Sequence, residues 1–541
     1  MSLHSSKPGV VLGNCRRGGG VVDRPHVVLF ARTISRRVAG GSRAVLQRAN
    51  LFAGEGYPVT LVISGMASDS EIATLRSSGG LHPQVAVRFV WLDAPGWEHQ
   101  LAAADHELVD LPRFDENAPG TVRTVQEPDR DGIRARVVRV EVAGQLRSEE
   151  VLDTDGSAIR SFRLYDHSGH CTQLWRFVDG KVAMVDDLTD DVPTTRRFYL
   201  DGRYCWLTAD VSGSTGTGRA VYADGTVTDY ATVIADWLDR EFAQIPRLVV
   251  FADGENVWQR VVRRLQHPGV RGVSVLHNSH LEAPYDATAP TKAEWQPYFT
   301  DRRNVDLLVC LTERQRTDLG QRYPGLPLQV VHHGVPPVAD DHHGRRGRRM
   351  IFLGRLAEQK RLEHLVEVVD RVTRVVPDAI LDVYGSGPAE QDFRSALAER
   401  GLTQRVNFAG FTHNALAAFA GARVAVMTSW YEGLPLTLTE AMSVGTPWVA
   451  YDLNYGPAEV IRDHVDGFLV PPGDVDAAAE RIIRLLSDDD LAQQLSRAAR
   501  EVSSRFSRQR YRQEWLEVLG RAIDSDRTTA ARAPREVVTV P

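Results

Sequence analysis

Short apolar runs set off by glycine loops and helically spaced apolar positions mark both ends of the chain, while its middle alternates apolar and polar residues. From Val27 to Ala31 the chain reads as a strand, followed by a Gly40-Gly41 turn, the helical pattern Val45, Leu46, Ala49, Leu51, Phe52, and a second strand from Val59 to Ile63. Strand, glycine loop, helix, strand opens a doubly wound α/β domain, whose ligands lie beyond the carboxyl ends of its strands. Between about 106 and 230 the period falls to two, as in Ile159-Arg160-Ser161-Phe162-Arg163-Leu164-Tyr165. Asp-Gly pairs recur there at 131, 155, 179, 201 and 224, spaced by 24, 24, 22 and 23 residues. Asp-Gly tolerates the positive φ of tight hairpins, so this spacing predicts two antiparallel strands per repeat.

Strand-like runs then return at Leu248 to Phe251, Val273 to His277, Val305 to Leu311 and Gln329 to His332. A second series starts at Met350 to Leu353 and continues at Ile380 to Tyr384, Val406 to Ala409, Val424 to Met427 and Pro447 to Tyr451. The pattern predicts an α/β protein of two Rossmann-like lobes flanking a cleft. Residues 25–105 and 231–335 form the first lobe, 106–230 an antiparallel β insertion in it, and 336–523 the second lobe with a terminal crossover helix. Residues 1–24 and 524–541 are expected to be disordered tails.

Composition excludes several classes. With 64 Lys plus Arg against 70 Asp plus Glu, a formal charge of −6, no global basic field calls for nucleic acid. No apolar stretch approaches the ~18 residues of a membrane span, and residues 1–20 hold no apolar signal segment. Cys15, Cys171, Cys205 and Cys310 show no paired spacing, which fits a reducing cytoplasm. His332-His333 and His342-His343 lack a helix-spaced metal partner. Asp153-Thr154-Asp155 precedes Gly156 and reads as a hairpin tip rather than a metal motif. No metal or other cofactor is expected.

Candidate chemistry concentrates late in the chain. Glu432-Gly433-Leu434-Pro435 leads through Leu436-Thr437-Leu438-Thr439 to Glu440. With Pro435 near the first helical position, the N–H groups of Gly433 to Leu436 are free to face an anion. Glu440, one to two turns on, suits a ribose diol, and Glu432 a sugar hydroxyl. Upstream, Arg355 and Lys360 follow a strand and open a helix at Arg361, placing a guanidinium fork and a point charge where a leaving diphosphate needs neutralising. Tyr384-Gly385-Ser386-Gly387-Pro388 permits close backbone approach.

Together Gly354-Arg355-Leu356 with Lys360, Tyr384-Gly385-Ser386-Gly387-Pro388, Phe408-Ala409-Gly410-Phe411, the paired glutamates and Asp466-Gly467-Phe468-Leu469-Val470-Pro471-Pro472-Gly473-Asp474 resemble the retaining GT-B glycosyltransferases of family 4. The resemblance covers residues 25–105 and 231–520 and implies a UDP-sugar co-substrate held by the second lobe, with no metal. It makes Arg355 and Lys360 diphosphate ligands, Glu432 a sugar contact and Glu440 the ribose contact. Phe411 and Thr412 would lie near the base, and Gly433, Leu434 and Pro435 near sugar and phosphate. Gly40 and Gly41 match the loop that approaches the donor phosphates, and His277 a histidine facing the transferred sugar; the glycines Gly385 and Gly387 complete the donor site.

The insertion resembles that of the poly(ribitol/glycerol-phosphate) wall teichoic acid α-glycosyltransferases, and similar insertions occur in glycosyltransferases of serine-rich adhesins. The implied activity is transfer of N-acetylglucosamine or glucose to a polyol-phosphate polymer, at the inner face of the membrane and in a homo-oligomer built through the insertion. Alternatives are a protein or small-metabolite acceptor, and a non-catalytic partner of another glycosyltransferase. Residues 106–230 carry 15 basic against 22 acidic residues, a formal −7, so a polyphosphate acceptor is expected to meet Arg32, Arg36, Arg37 and Arg43 instead. Arg345, Arg346, Arg348 and Arg349 form a second basic group.

Overall fold

The computed structural model describes residues 24–31, 40–63, 69–90 and 121–525, save 129–133, 143, 153–158, 179, 201–203, 212–217, 224, 255–256, 302, 336–337, 339–346 and 413. Strand β1 (His26–Ala31) lies inside a seven-stranded parallel sheet with β2 (Val59–Ile63) and β3 (Val85–Phe89) on one side. The chain then builds ten antiparallel strands in sequential order, from β4 (Thr121–Pro128), β5 (Arg134–Val142), β6 (Gln145–Leu152), β7 (Ile159–Tyr165) and β8 (Cys171–Val178) to β9 (Lys181–Thr189), β10 (Val192–Leu200), β11 (Tyr204–Asp210), β12 (Arg219–Tyr222) and β13 (Val227–Asp229). It re-enters the parallel sheet through β14 (Leu248–Asp253), which pairs with β1, and continues outward as β15 (Val270–Val275), β16 (Val305–Cys310) and β17 (Leu328–Val330). A second parallel sheet follows in the order β20-β19-β18-β21-β22-β23, from β18 (Arg349–Leu353), β19 (Ile380–Tyr384) and β20 (Val406–Gly410) to β21 (Val424–Met427), β22 (Trp448–Tyr451) and β23 (Gly467–Val470).

The apolar run in β1 is explained by burial on both faces, which central strands of parallel sheets require. Val27, Leu29 and Ala31 pack into a core with the helix Gly40–Gly54, while Val28 and Phe30 face a second core. That second core joins the insertion to the lobe: Met184, Phe198 and Leu207 pack with Trp237 and Leu238 of the helix Tyr230–Glu241, whose N-cap Asp229 accepts from the N–H groups of Ala231 and Thr232. Cross-strand ion rungs tie the insertion internally, Arg139 and Arg163 on Glu149, and Arg176 and Arg196 on the fully buried Asp186. Gly180 and Gly225 take φ of 73° and 83° at hairpin ends, as the Asp-Gly reading requires. The pairs at 131, 155 and 201 lie outside the described residues.

The terminal helix Arg508–Ile523 buries Tyr511, Trp515, Val518, Leu519 and Ala522, a stripe at helical spacing, against the first lobe. Although its sequence follows the second lobe, it therefore packs as part of the first. Val335 and Ser507 form a bridge where the chain passes between the lobes in both directions. Three of the boundaries that differ from the sequence reading bear on the site. Strand β17 ends at Val330, leaving His332 and His333 in the interlobe segment; β15 ends at Val275, two residues before His277; and Arg361 adopts φ 53° between a short 3₁₀ turn and a helix beginning at Leu362.

Candidate active site

The carboxyl ends of both parallel sheets face one another, and the residues singled out from the sequence distribute along that junction. Lys360 leaves the loop after β18 and donates from Nζ to Glu432 Oε1 at 2.6 Å. Glu432 is buried at 7% exposure, so the pair acts in a partly desolvated setting where charge interactions are strong. The Thr428 hydroxyl donates to the Lys360 carbonyl, and the Gln359 amide to the Tyr431 carbonyl, tying the two loops together. Arg355 is exposed and makes no ion pair among the described residues. Lysine is thus already engaged, whereas arginine is open to a ligand.

Glycines fix how closely these loops approach. A Cβ on Gly433 would lie 2.2 Å from the His277 carbonyl oxygen, so the Glu432 loop of one lobe can touch the His277 segment of the other only without a side chain. A Cβ on Gly385 or Gly387 would strike the carbonyl oxygen of Gly354 or Leu356, at 1.9 and 2.1 Å. The close approach they permit is to the chain's own Arg355 loop, which they support from beneath. Pro435 is the N-cap of the helix Leu436–Ser443, one position earlier than the sequence reading placed it. Leu434 is buried beneath it.

Glu440 lies on that helix, buried, and pairs with Arg43 of the helix Gly40–Gly54 at 2.5 Å. Burial pushes its carboxyl above the usual range, and the Arg43 guanidinium offsets part of this. Arg43, expected from sequence to meet the acceptor, thus reaches across to the ribose candidate. Gly40 and Gly41 begin the same first-lobe helix. Arg32, Arg36 and Arg37 lie outside the described residues. Phe411 and Thr412 are half-buried after β20, where Thr412 Oγ1 accepts from the Asn414 N–H.

His277 is half-buried and its Nε2 lies 2.7 Å from Asp253 Oδ1. Burial raises the Asp253 carboxyl, but Arg48 and His277 outweigh it and hold the group below its ordinary value. The sequence reading missed Asp253, although its place at the carboxyl end of β14 before Gly254 is the signal used for His277. It also missed the link His332–Glu459 at 2.7 Å, which joins the interlobe segment to the second lobe. Burial opposes protonation of His332, but the hydrogen bond to Glu459 and the carboxylate of Glu514, 3.9 Å from Nδ1, outweigh it and raise it to about 9. Its neighbour His333 is pushed down to about 3, first by burial and then by His277, Arg48 and His332. Tyr285 and Lys292 of the first lobe pack on Tyr431, the residue before Glu432, at 4.5 and 4.3 Å. Among the described residues no group of three His, Cys, Asp or Glu side chains is placed to hold a metal ion, and no helix is long and apolar enough to cross a membrane.

Two parallel-sheet lobes meeting at their strand ends, joined by a returning terminal helix, define a GT-B fold. Residues 341–502 match the family described as glycosyl transferases group 1. The chain is 23% identical over 377 residues to the poly(ribitol-phosphate) alpha-N-acetylglucosaminyltransferase of Staphylococcus aureus, spanning 68% of this chain and 73% of that protein. A structure of a mutant S. aureus TarM in complex with fondaparinux, alpha-GlcNAc-glycerol and UDP superimposes with a TM-score of 0.68 at 17% identity, over 92% of this chain and 99% of that one. The pneumococcal O-GlcNAc transferase GtfA in complex with UDP and GlcNAc gives 0.67 at 16% identity, over 93% and 99%. Both share the fold including the insertion region, since little of this chain lies outside the superposition.

Proposed function

We propose that the chain is a retaining α-glycosyltransferase that moves N-acetylglucosamine or glucose from a UDP-sugar to a hydroxyl of a teichoic-acid-like polyol-phosphate polymer. The observation that carries the transfer reading is the junction at Gly433, where the Lys360–Glu432 pair of the second lobe meets His277 of the first. Similarity to the S. aureus polymer transferase over two thirds of the chain supports the acceptor class.

In this reading the donor diphosphate lies between Arg355 and Lys360, whose charges neutralise it as the anomeric C–O bond breaks. A departing phosphate oxygen takes the proton of the acceptor hydroxyl, whose oxygen bonds to the anomeric carbon on the same face, so configuration is retained. Glu432 and His277 contact sugar hydroxyls, Glu440 the ribose, Phe411 and Thr412 the base. Side-chain cations replace a metal, so turnover persists in EDTA, and an absolute Mg²⁺ or Mn²⁺ requirement would overturn that part. The work is placed in the cytoplasm, with the acceptor drawing the protein to the inner membrane face.

The insertion offers a long edge strand, β4, with no partner on its outer side among the described residues. An uncovered edge favours strand addition. The proposed homo-oligomer forms there, and a monomer in light scattering at micromolar concentration would exclude it. The test of the activity itself is UDP release from UDP-GlcNAc and UDP-glucose by the purified chain. Absence of release with either sugar, with and without acceptor, contradicts the proposal and returns the chain to a non-catalytic partner role.

A further inference from the structure

Asp253 Oδ1 receives two contacts, His277 Nε2 at 2.7 Å and Arg48 Nη2 at 2.5 Å. A guanidinium only donates, and an ionised carboxylate only accepts. In the neutral imidazole the single ring hydrogen must then sit on Nε2, which leaves Nδ1 with its lone pair. Arg48 is 1% exposed and extends from the helix Gly40–Gly54 under the sheet. Its guanidinium carbon lies 4.3 Å from the Trp515 ring centre and 5.2 Å from that of Phe251. The terminal helix thereby clamps the arginine, the arginine clamps the carboxylate, and the carboxylate clamps the histidine.

As a stabilising element this arrangement is poor. Asp253 Oδ2 and Arg48 Nε and Nη1 are buried with no hydrogen-bond partner, and buried ion pairs with unmet polar atoms are commonly no better than apolar packing. What it does accomplish is orientation. We propose that Asp253 and Arg48 are positioning residues for His277, Asp253 holding the ring in the Nε2–H tautomer with Nδ1 as acceptor for a hydroxyl of the transferred sugar, and Arg48 fixing Asp253 from the terminal helix. This rests on the donor-sugar role of His277 given above. Misplacement of a sugar-orienting group by ~1 Å costs ~10²-fold in turnover.

The experiment combines a mutant cycle with a spectroscopic readout on the full chain. Asp253→Ala lowers kcat ~10²-fold, with the UDP dissociation constant and donor KM within about threefold of wild type. Asp253→Asn, which keeps an acceptor oxygen between Arg48 and His277, recovers at least tenfold of that loss. On a His277→Ala background neither Asp253 variant lowers turnover further, because groups acting as a unit are not additive. Losses that multiply, or Asn and Ala variants that are equally slow, overturn the proposal. If Asp253→Ala does not fold, the Asn variant carries the cycle. Independently of activity, ¹⁵N-histidine spectra of the unliganded protein, with His277 assigned by its loss in His277→Gln, show an unprotonated Nδ1 in wild type. They show mixed tautomers in Asp253→Ala and in Arg48→Met. A wild-type His277 protonated on Nδ1 overturns the positioning role even if transfer is confirmed, whereas absent turnover with the Nε2–H tautomer intact removes the transferase reading and leaves the relay standing.

Discussion

Replacing Lys360 by Met separates what the Lys360–Glu432 pair does for stability from what Lys360 does for turnover. The substitution leaves the Glu432 carboxylate unpaired, with side-chain exposures of 19% for the lysine and 9% for the glutamate in the native pair. Breaking a fully buried pair costs ~3–5 kcal/mol, and the residual exposure of Lys360 brings the expected loss to roughly 2–3 kcal/mol. For a lobe of ~150–250 residues that corresponds to a fall of about 4–12 °C in the Tm of the second lobe. Turnover falls separately by ~10²–10³, because the positive charge matters most as the diphosphate departs. Adding Glu432→Gln removes the stranded charge, so the double variant regains stability to within about 1 kcal/mol of wild type while its turnover stays low. Arg355→Ala supplies the comparison: an exposed side chain with no ion pair among the described residues changes stability by less than about 0.5 kcal/mol yet lowers turnover ~10²-fold. Calorimetry beside UDP-release kinetics reads both effects. Recovery of turnover together with Tm in the double variant would refute the reasoning, since Lys360 would then serve only to hold Glu432.

The remaining predictions follow from the lobe junction. The folded-state pKa of His332, about 9, exceeds its unfolded value of ~6.5, so its stabilisation, on the order of 3 kcal/mol, is complete below pH ~6.5 and is lost as pH rises through 9. Wild-type Tm should therefore fall between pH 6.5 and 9.5 by more than that of His332→Gln, and parallel curves would disprove the assignment. Gly433→Ala should push the Glu432 loop from the His277 carbonyl, since the added Cβ would sit 2.2 Å from it. The expected result is ~10² loss of kcat with the second lobe still folded by circular dichroism, and unchanged kcat would show that the loop need not touch the first lobe.

Much of this architecture is written in local patterns. Both faces of β1 are buried, which makes its sequence continuously apolar, and Gly180 and Gly225 of the regularly spaced Asp-Gly pairs lie at hairpin ends between strands of the insertion. The second-lobe site residues lie within short stretches, so Lys360, Glu432 and Glu440 could be singled out from spacing and from the resemblance those stretches carry. Contacts between distant segments leave no such trace. Arg43 and Glu440 are almost four hundred residues apart, and Arg48 meets Asp253 from across the insertion; nothing near either residue announces the partner. The terminal helix shows the same limit: its apolar stripe of Tyr511, Trp515, Val518, Leu519 and Ala522 calls for burial, but a stripe does not name the lobe that buries it. Gly385 and Gly387 record that something comes close, and the sequence is silent on the Gly354 and Leu356 carbonyls that do.

The central claim is sugar transfer from a UDP-sugar to a polyol-phosphate chain, and mass spectrometry of the reaction products tests it most directly. The purified protein is incubated with UDP-GlcNAc or UDP-glucose and with ribitol-phosphate oligomers, glycerol-phosphate oligomers or a serine-rich peptide. The expected product carries one or more hexosamine or hexose units on a polyol-phosphate oligomer, in an α linkage by nuclear magnetic resonance, and the peptide gains none. Modification of the peptide alone would move the chain to protein glycosylation, and a β-linked product would contradict the retaining mechanism at its root.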